Sequence, residues 1–139
     1  MTLRIAWMGG LIASVIFTLG LLVIEGRNAM ADPAAAEPQL AHMVYFTLND
    51  STPEARQRLV DSCHKYLNDH PGTVYFSVGT LVPDLARPVN DRDYDVALNV
   101  VFKTRADHDR YQTAERHQKF IEENKPTWKR VRVFDSYLQ

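Results

Sequence analysis

Tyr111 and His117 lie six positions apart and are the residues of this sequence best suited to proton-transfer chemistry. An imidazole can act as a general base near neutral pH, and a phenol can polarise a carbonyl by donating a hydrogen bond. His42 is the third candidate. The same residues could equally be structural, with His117 bonding the link between two helices and Tyr111 packing on a sheet. The spacing leaves both interpretations open.

The remaining nucleophilic and metal-ligating residues predict no second site. Cys63 is the single cysteine, which excludes an internal disulfide framework and a multi-thiolate zinc site. Asp107, His108 and Asp109 are consecutive residues of a predicted helix, so their side chains point in different directions. We therefore predict no metal site and no cofactor.

The candidate residues are positioned by two segments in which apolar side chains alternate with other side chains, and by a helix. Apolar side chains recur at every second position of Tyr94–Phe102, which predicts a strand. Thr104 and Asp107 have the spacing of a capping box, so a helix carrying Tyr111 begins directly after that strand. His42–Leu48 alternates in the same way and predicts the first strand.

The segment between these strands predicts a helix, a strand and a long loop. Ser51 and Glu54 have capping-box spacing and precede a helical apolar stripe. The strand is Thr73–Val82, and Gly79 inside it predicts a bulge or a close backbone approach. Pro83–Asp93 is polar and predicts a wide connection without regular structure. The stripe consists of Ala55, Leu59, Cys63, Tyr66 and Leu67.

The predicted order of elements is β-α-β-β-α-β. A short helical piece at Phe120 and Ile121 follows the second helix, and Lys129–Leu138 is the last strand. This order predicts a ferredoxin-like α+β fold, an antiparallel sheet with the helices on one face.

The other face of the sheet is too apolar to be fully solvated. A second copy of the sheet, packed face to face about a two-fold axis, would cover it. We therefore predict a homodimer that closes into a dimeric α/β barrel. The apolar residues on this face are Tyr45, Tyr75, Leu81, Val101 and Phe134.

The N-terminal part of the chain predicts export. Arg4 precedes Ile5–Ile24, an uncharged run that reaches the roughly 20 residues of a membrane-spanning helix. Ala29-Met30-Ala31 is also a possible signal-peptidase site, so residues 1–31 predict either a cleaved signal peptide or an N-terminal membrane helix. Residues 32–39 predict a linker and residues 40–139 the domain. We expect an extracytoplasmic domain, secreted, periplasmic or membrane-anchored.

The charge pattern argues against a nucleic-acid partner. The formal net charge is -1, and no basic stripe stands out in the sequence.

The sequence resembles the stress-responsive A/B barrel (Dabb) family in several features that occur in order. The first strand opens with His42-x-Val44-x-Phe46, and Gly79 lies in the second strand. Tyr94-Asp95 opens the third strand, Phe102 closes it, Tyr111 and His117 follow, and Phe134-Asp135 lies in the last strand. The resemblance covers nearly all of Ala41–Leu138 and implies a dimeric α+β barrel.

The resemblance also bears on the candidate chemistry. A plant polyketide cyclase branch of the family uses a tyrosine and a histidine at the spacing of Tyr111 and His117, and its first-strand histidine matches His42. That branch has a further histidine in the third strand, where this chain has Val96.

Two functions follow as alternatives. The first is a non-enzymatic dimeric module that binds a small apolar ligand or a protein partner, with Phe46, Tyr45 and Phe102 as binding residues. The second is an acid–base lyase or cyclase acting on a carbonyl compound.

Overall fold

Alternating apolar positions form four strands, and apolar stripes form three helices that cover them. The computed structural model describes residues 37–139. In order, the elements are β1 Leu40–Leu48, α1 Pro53–Leu67, β2 Thr73–Thr80, β3 Val96–Phe102, α2 Arg105–Thr113, α3 Glu115–Asn124, a 3-10 turn Lys125–Thr127, and β4 Trp128–Tyr137.

The four strands form one sheet in the order β2-β3-β1-β4, and every neighbouring pair is antiparallel. This is the ferredoxin-like arrangement that the element order predicts. The central strands β1 and β3 bury every second residue against the helices, because successive side chains of a strand point to opposite faces. The predicted fold class is confirmed at this level.

The core lies between the sheet and the helices. Strands β1 and β3 contribute the largest part of it, α1 contributes its predicted stripe, and Tyr111 and Phe120 enter from α2 and α3. Val96 is completely buried in this core.

The helix starts are partly as predicted. Thr104 caps α2 by accepting a hydrogen bond from the backbone N–H of Asp107. Thr52, not Ser51, caps α1, because its hydroxyl accepts from the N–H of Ala55. The Ser51 hydroxyl instead donates to the Asp95 carboxylate. Where two hydroxyl residues precede a proline, sequence spacing alone cannot decide which of them is the N-cap.

The second strand differs from the prediction in two ways. It ends at Thr80 rather than Val82, and its bulge lies between Thr73 and Tyr75 rather than at Gly79. A Cβ built on Gly79 would meet nothing within 4 Å. Gly79 therefore marks neither a bulge nor a close approach within one copy of residues 37–139.

The long loop after β2 has no helix or strand, as predicted, and it lies over part of the outer sheet face. Asp91 and Asp93 form ion pairs with Arg132 and Arg130 of β4. The ring of Tyr94 packs edge-on against Tyr45, with centroids 5.0 Å apart. The loop thus covers part of the face that we expected to be covered by a second subunit.

Within residues 37–139, no helix is both long and apolar enough to cross a bilayer. The predicted N-terminal run Ile5–Ile24, the cleavage motif and most of the predicted linker lie outside the described residues.

Candidate functional site

An open cavity of about 420 Å³ lies between the sheet and helices α2 and α3. It opens beside β4, where the helix-facing side chains Val131 and Val133 stay substantially exposed. Most of its wall is apolar, and several polar side chains converge on it: His42, His108, Tyr111, Gln112, His117 and Asp135. A concave, mainly apolar cavity with a few polar groups is the usual form of a small-molecule site.

His42 is held in one orientation by a carboxylate. Its Nδ1 lies 2.6 Å from Oδ1 of Asp135, the residue opposite it in the β1–β4 register. An ionised carboxylate only accepts hydrogen bonds, so Nδ1 carries the proton and Nε2 keeps its lone pair. Burial lowers the pKa of His42, and the Asp135 carboxylate partly opposes that effect. A neutral imidazole with a free Nε2 can act as a base.

His117 is oriented by the break between α2 and α3. Ala114 is extended there (φ -63°, ψ 139°), so α2 ends. The carbonyl of Gln112 then accepts hydrogen bonds from side chains. His117 Nδ1 donates to that carbonyl at 3.1 Å, and Gln118 donates to it as well. His117 therefore bonds the interhelical link, one of the two roles that the sequence suggested. Burial lowers the pKa of His117.

Tyr111 lies at the centre of the group. Its ring centroid is 4.4 Å from that of His117, 4.8 Å from His70 and 6.0 Å from His42. Only 2% of the residue is exposed, and burial raises the pKa of its phenol well above the usual range. The phenol is therefore a hydrogen-bond donor and not a base at neutral pH. The three predicted acid–base residues thus lie around one cavity.

The three predicted binding residues do not lie at one site. Phe46 lines the cavity, and Phe102 lies behind it, with its ring 5.0 Å from Tyr111. Tyr45 points to the opposite face of the sheet, where its ring is 5.7 Å from that of Phe134. Tyr45 belongs to a second concavity under the long loop and not to the histidine cavity.

Sequence reasoning did not assign His108 and Asp135 to this site. His108 precedes Tyr111 by three positions, so both residues lie on one face of α2. Asp135 faces His42 only because β4 pairs with β1 in this register. The i, i+3 spacing was readable from the sequence, whereas the register was not.

Cys63 has the burial that its position on the apolar stripe of α1 predicts. It is fully buried, and burial raises the pKa of its thiol to about 12. It therefore stays protonated and unreactive at neutral pH.

The four-stranded antiparallel sheet, its helix layer and the cavity between them define a ferredoxin-like α+β domain. The family model of the Stress responsive A/B Barrel Domain matches residues 40–138. The chain belongs to this family, as its sequence features indicate.

Solved structures agree in fold at low sequence identity. A Dabb family protein from Mesorhizobium loti has a TM-score of 0.62 and 21% identity, over 74% of this chain and 99% of that chain. A dimeric ferredoxin-like protein of unknown function from Thermobifida fusca has a TM-score of 0.62 and 19% identity, over 73% and 92%. The hydroxynitrile lyase of Passiflora edulis has a TM-score of 0.60 and 19% identity, over 75% and 95%. No curated protein sequence matches the chain significantly.

Proposed function

We propose that this Dabb protein is a dimeric, non-enzymatic binder of a small, mainly apolar ligand. The main support for this proposal is the cavity of about 420 Å³ beside β4. Its volume lies in the range of small-molecule sites, and its apolar wall would stabilise a ligand by excluding water. The polar groups that converge on it would orient an oxygen-bearing end of the ligand, with Tyr111 as donor and His42 Nε2 as acceptor.

The test is binding of the fluorescent apolar probe ANS to the full-length protein, followed by native mass spectrometry of the complex. Val133→Trp fills the mouth of the cavity, and Val74→Trp is the matched control, because both valines are 49% exposed and Val74 lies on β2. We expect Val133→Trp to weaken ANS binding by about tenfold or more, since a filled site loses its apolar contacts. Equal binding by both variants would contradict a ligand in this cavity.

The apolar outer sheet face supports the homodimer part of the proposal. Tyr75 and Phe134 are each at least half exposed on that face. Similar structures from Thermobifida fusca and Bacteroides fragilis are described as dimeric. Two sheets packed face to face would bury these aromatic rings.

An acid–base lyase or cyclase acting on a carbonyl compound is the second candidate. Its support is that His42 and His117 each have Nδ1 anchored and Nε2 free, with the Tyr111 phenol between them. A similar fold belongs to the hydroxynitrile lyase of Passiflora edulis. Under this proposal His117→Ala abolishes turnover of any substrate found, whereas for a binding protein it mainly lowers stability. Unchanged turnover in His117→Ala would eliminate the catalytic role.

We also propose that the domain, residues 40–139, is exported, with residues 1–31 as a cleaved signal peptide or an anchor and residues 32–39 as a linker. The support is the uncharged run Ile5–Ile24 after Arg4. Cell fractionation and the mass of the N-terminal peptide test this. Recovery of the full-length chain in the soluble cytoplasmic fraction would contradict it.

A further inference from the structure

We propose that His42, His108 and Asp135 form a binding site for a divalent first-row transition-metal ion, with Zn²⁺ as the reference ion. The three residues come from β1, α2 and β4, and their ligand atoms all lie within 4.8 Å of one another. The two imidazole rings have centroids 5.2 Å apart. All three side chains line the cavity described above, so an ion there would be reached from its open side.

The ligand types favour this class of ion. Two neutral imidazoles and one carboxylate suit Zn²⁺, Fe²⁺ and Co²⁺, whereas Mg²⁺ and Ca²⁺ prefer oxygen ligands. Three protein ligands also leave at least one coordination position for water or for a ligand in the cavity. Two of the three residues, His42 and His108, are buried, which shields them from competing solvent.

His108 is oriented in the way that metal-binding histidines commonly are. Its Nδ1 lies 3.1 Å from the Asp109 carboxylate, which only accepts, so Nδ1 carries the proton. The lone pair is then on Nε2. A carboxylate on the far nitrogen fixes the tautomer and the ring orientation of many metal ligands. The Gln112 side chain contacts Nε2 at 3.0 Å, and it would have to rotate away as the ion binds.

Ion binding would require local movement of the ligand side chains, because the ligand atoms lie as much as 4.8 Å apart. An ion about 2.1 Å from each ligand in a tetrahedral site separates the ligands by about 3.4 Å. His42 Nδ1 and Asp135 Oδ1 are 2.6 Å apart, so an ion bound between them would require the His42 proton to move from Nδ1 to Nε2, which keeps the imidazole neutral. The Asp135 side chain is 47% exposed, so its carboxylate can move by the roughly 1 Å that this needs.

The test is Co²⁺ titration of the untagged full-length protein in detergent, followed by absorption spectroscopy and by competition with Zn²⁺. We expect one Co²⁺ per chain, with visible d–d bands of a four- or five-coordinate N/O site, displaced by Zn²⁺ but not by Mg²⁺. His108→Ala and Asp135→Asn each remove one ligand and should weaken binding by about tenfold or more. Asp135→Asn keeps a hydrogen-bond acceptor for His42, so loss of binding in it does not depend on a disrupted fold.

His64→Ala is the matched control, because His64 lies on α1 and packs against Phe76, away from the cavity. It should bind Co²⁺ as the unchanged protein does. Absence of stoichiometric Co²⁺ binding, or equal affinity in His64→Ala, His108→Ala and Asp135→Asn, would overturn the proposal and leave the three residues as a hydrogen-bonded cluster. Val133→Trp retains all three ligands, so metal binding and apolar-ligand binding can fail separately.

Discussion

Asp95 shows how one buried carboxylate can hold several elements together. Its side chain is almost fully buried and accepts hydrogen bonds from the backbone N–H of Leu48, the hydroxyl of Ser51 and the guanidinium of Arg56. It therefore ties the start of β3 to the end of β1 and to the first turn of α1. The sequence marked Tyr94-Asp95 only as a family feature, and the structure supplies its physical reason.

Asp95→Ala should lower the free energy of unfolding by about 2–4 kcal/mol, because it leaves a buried N–H without a partner and Arg56 without its counter-ion. Urea unfolding of the full-length protein measures this. Asp93→Ala is the control, since Asp93 is exposed and its pairing with Arg130 should contribute at most about 1 kcal/mol. Equal losses in the two variants would contradict the role assigned to Asp95.

His70 is a buried histidine outside the predicted site. Its Nε2 donates to the carbonyl of Tyr66 at 2.9 Å, and its ring packs edge-on against Tyr111. Burial, and then the nearby Arg116, lower the pKa of His70 from the ordinary value of 6.5, although the bond to Tyr66 opposes them. The unfolded chain therefore binds a proton at a higher pH than the folded chain does.

Stability should consequently be lost as the pH falls below 6.5 toward the folded-state pKa of His70. His70→Gln removes this proton-binding group, so unfolding in urea at pH 7.5 and at pH 5.5 should differ less in the variant. The titratable and charged side chains that face His70 are Tyr111 from α2 and Arg116 and His117 from α3. Tyr111 stays neutral in this range, because burial raises the pKa of its phenol. An unaltered pH dependence in His70→Gln would refute the prediction.

At the scale of elements, the turn between α1 and β2 determines how closely α2 can approach. Gly72 has φ of +85°, and a Cβ there would lie 2.2 Å from Cγ of Asp107 in the first turn of α2. Only glycine allows both the left-handed backbone and this contact. The helix that carries His108 and Tyr111 therefore depends on a residue far from it in sequence.

Gly72→Ala should lower the free energy of unfolding by about 1–3 kcal/mol, through backbone strain and the clash with the buried Asp107. Gly79→Ala is the matched control, because its Cβ would meet nothing within 4 Å and its backbone is ordinary strand. We expect the control to stay within about 0.5 kcal/mol. Thermal unfolding measures both, and a Gly72→Ala variant as stable as Gly79→Ala would be inconsistent with the close approach.

The elements show which parts of the structure are readable from sequence. Strand faces and helix stripes follow from the spacing of apolar residues within one segment, so β1, β3 and α1 were predictable. The pairing of His42 with Asp135 depends on the register between segments 93 positions apart, which periodicity does not encode. The cap at Thr52 and the end of β2 at Thr80 depend on a local competition among adjacent residues.

At the scale of the whole molecule, β4 separates two surfaces with different predicted roles. Consecutive side chains of a strand point to opposite faces, so Val133 faces the histidine cavity and Phe134 faces the outer side beside Tyr45. Both residues are about half exposed. The face-to-face homodimer predicts that only the outer one is buried by the second copy.

Phe134→Glu should therefore convert the proposed dimer into a monomer, because it places a carboxylate in an apolar sheet–sheet contact. Val133→Glu is the control on the adjacent residue: it should leave the dimer intact and impair only binding in the cavity. Native mass spectrometry of the full-length variants, released from detergent, distinguishes the two. A monomeric mass for the unchanged protein would contradict the homodimer. A Phe134→Glu variant that stays dimeric would place the interface on another surface. The edge strand β2 would then be the next candidate.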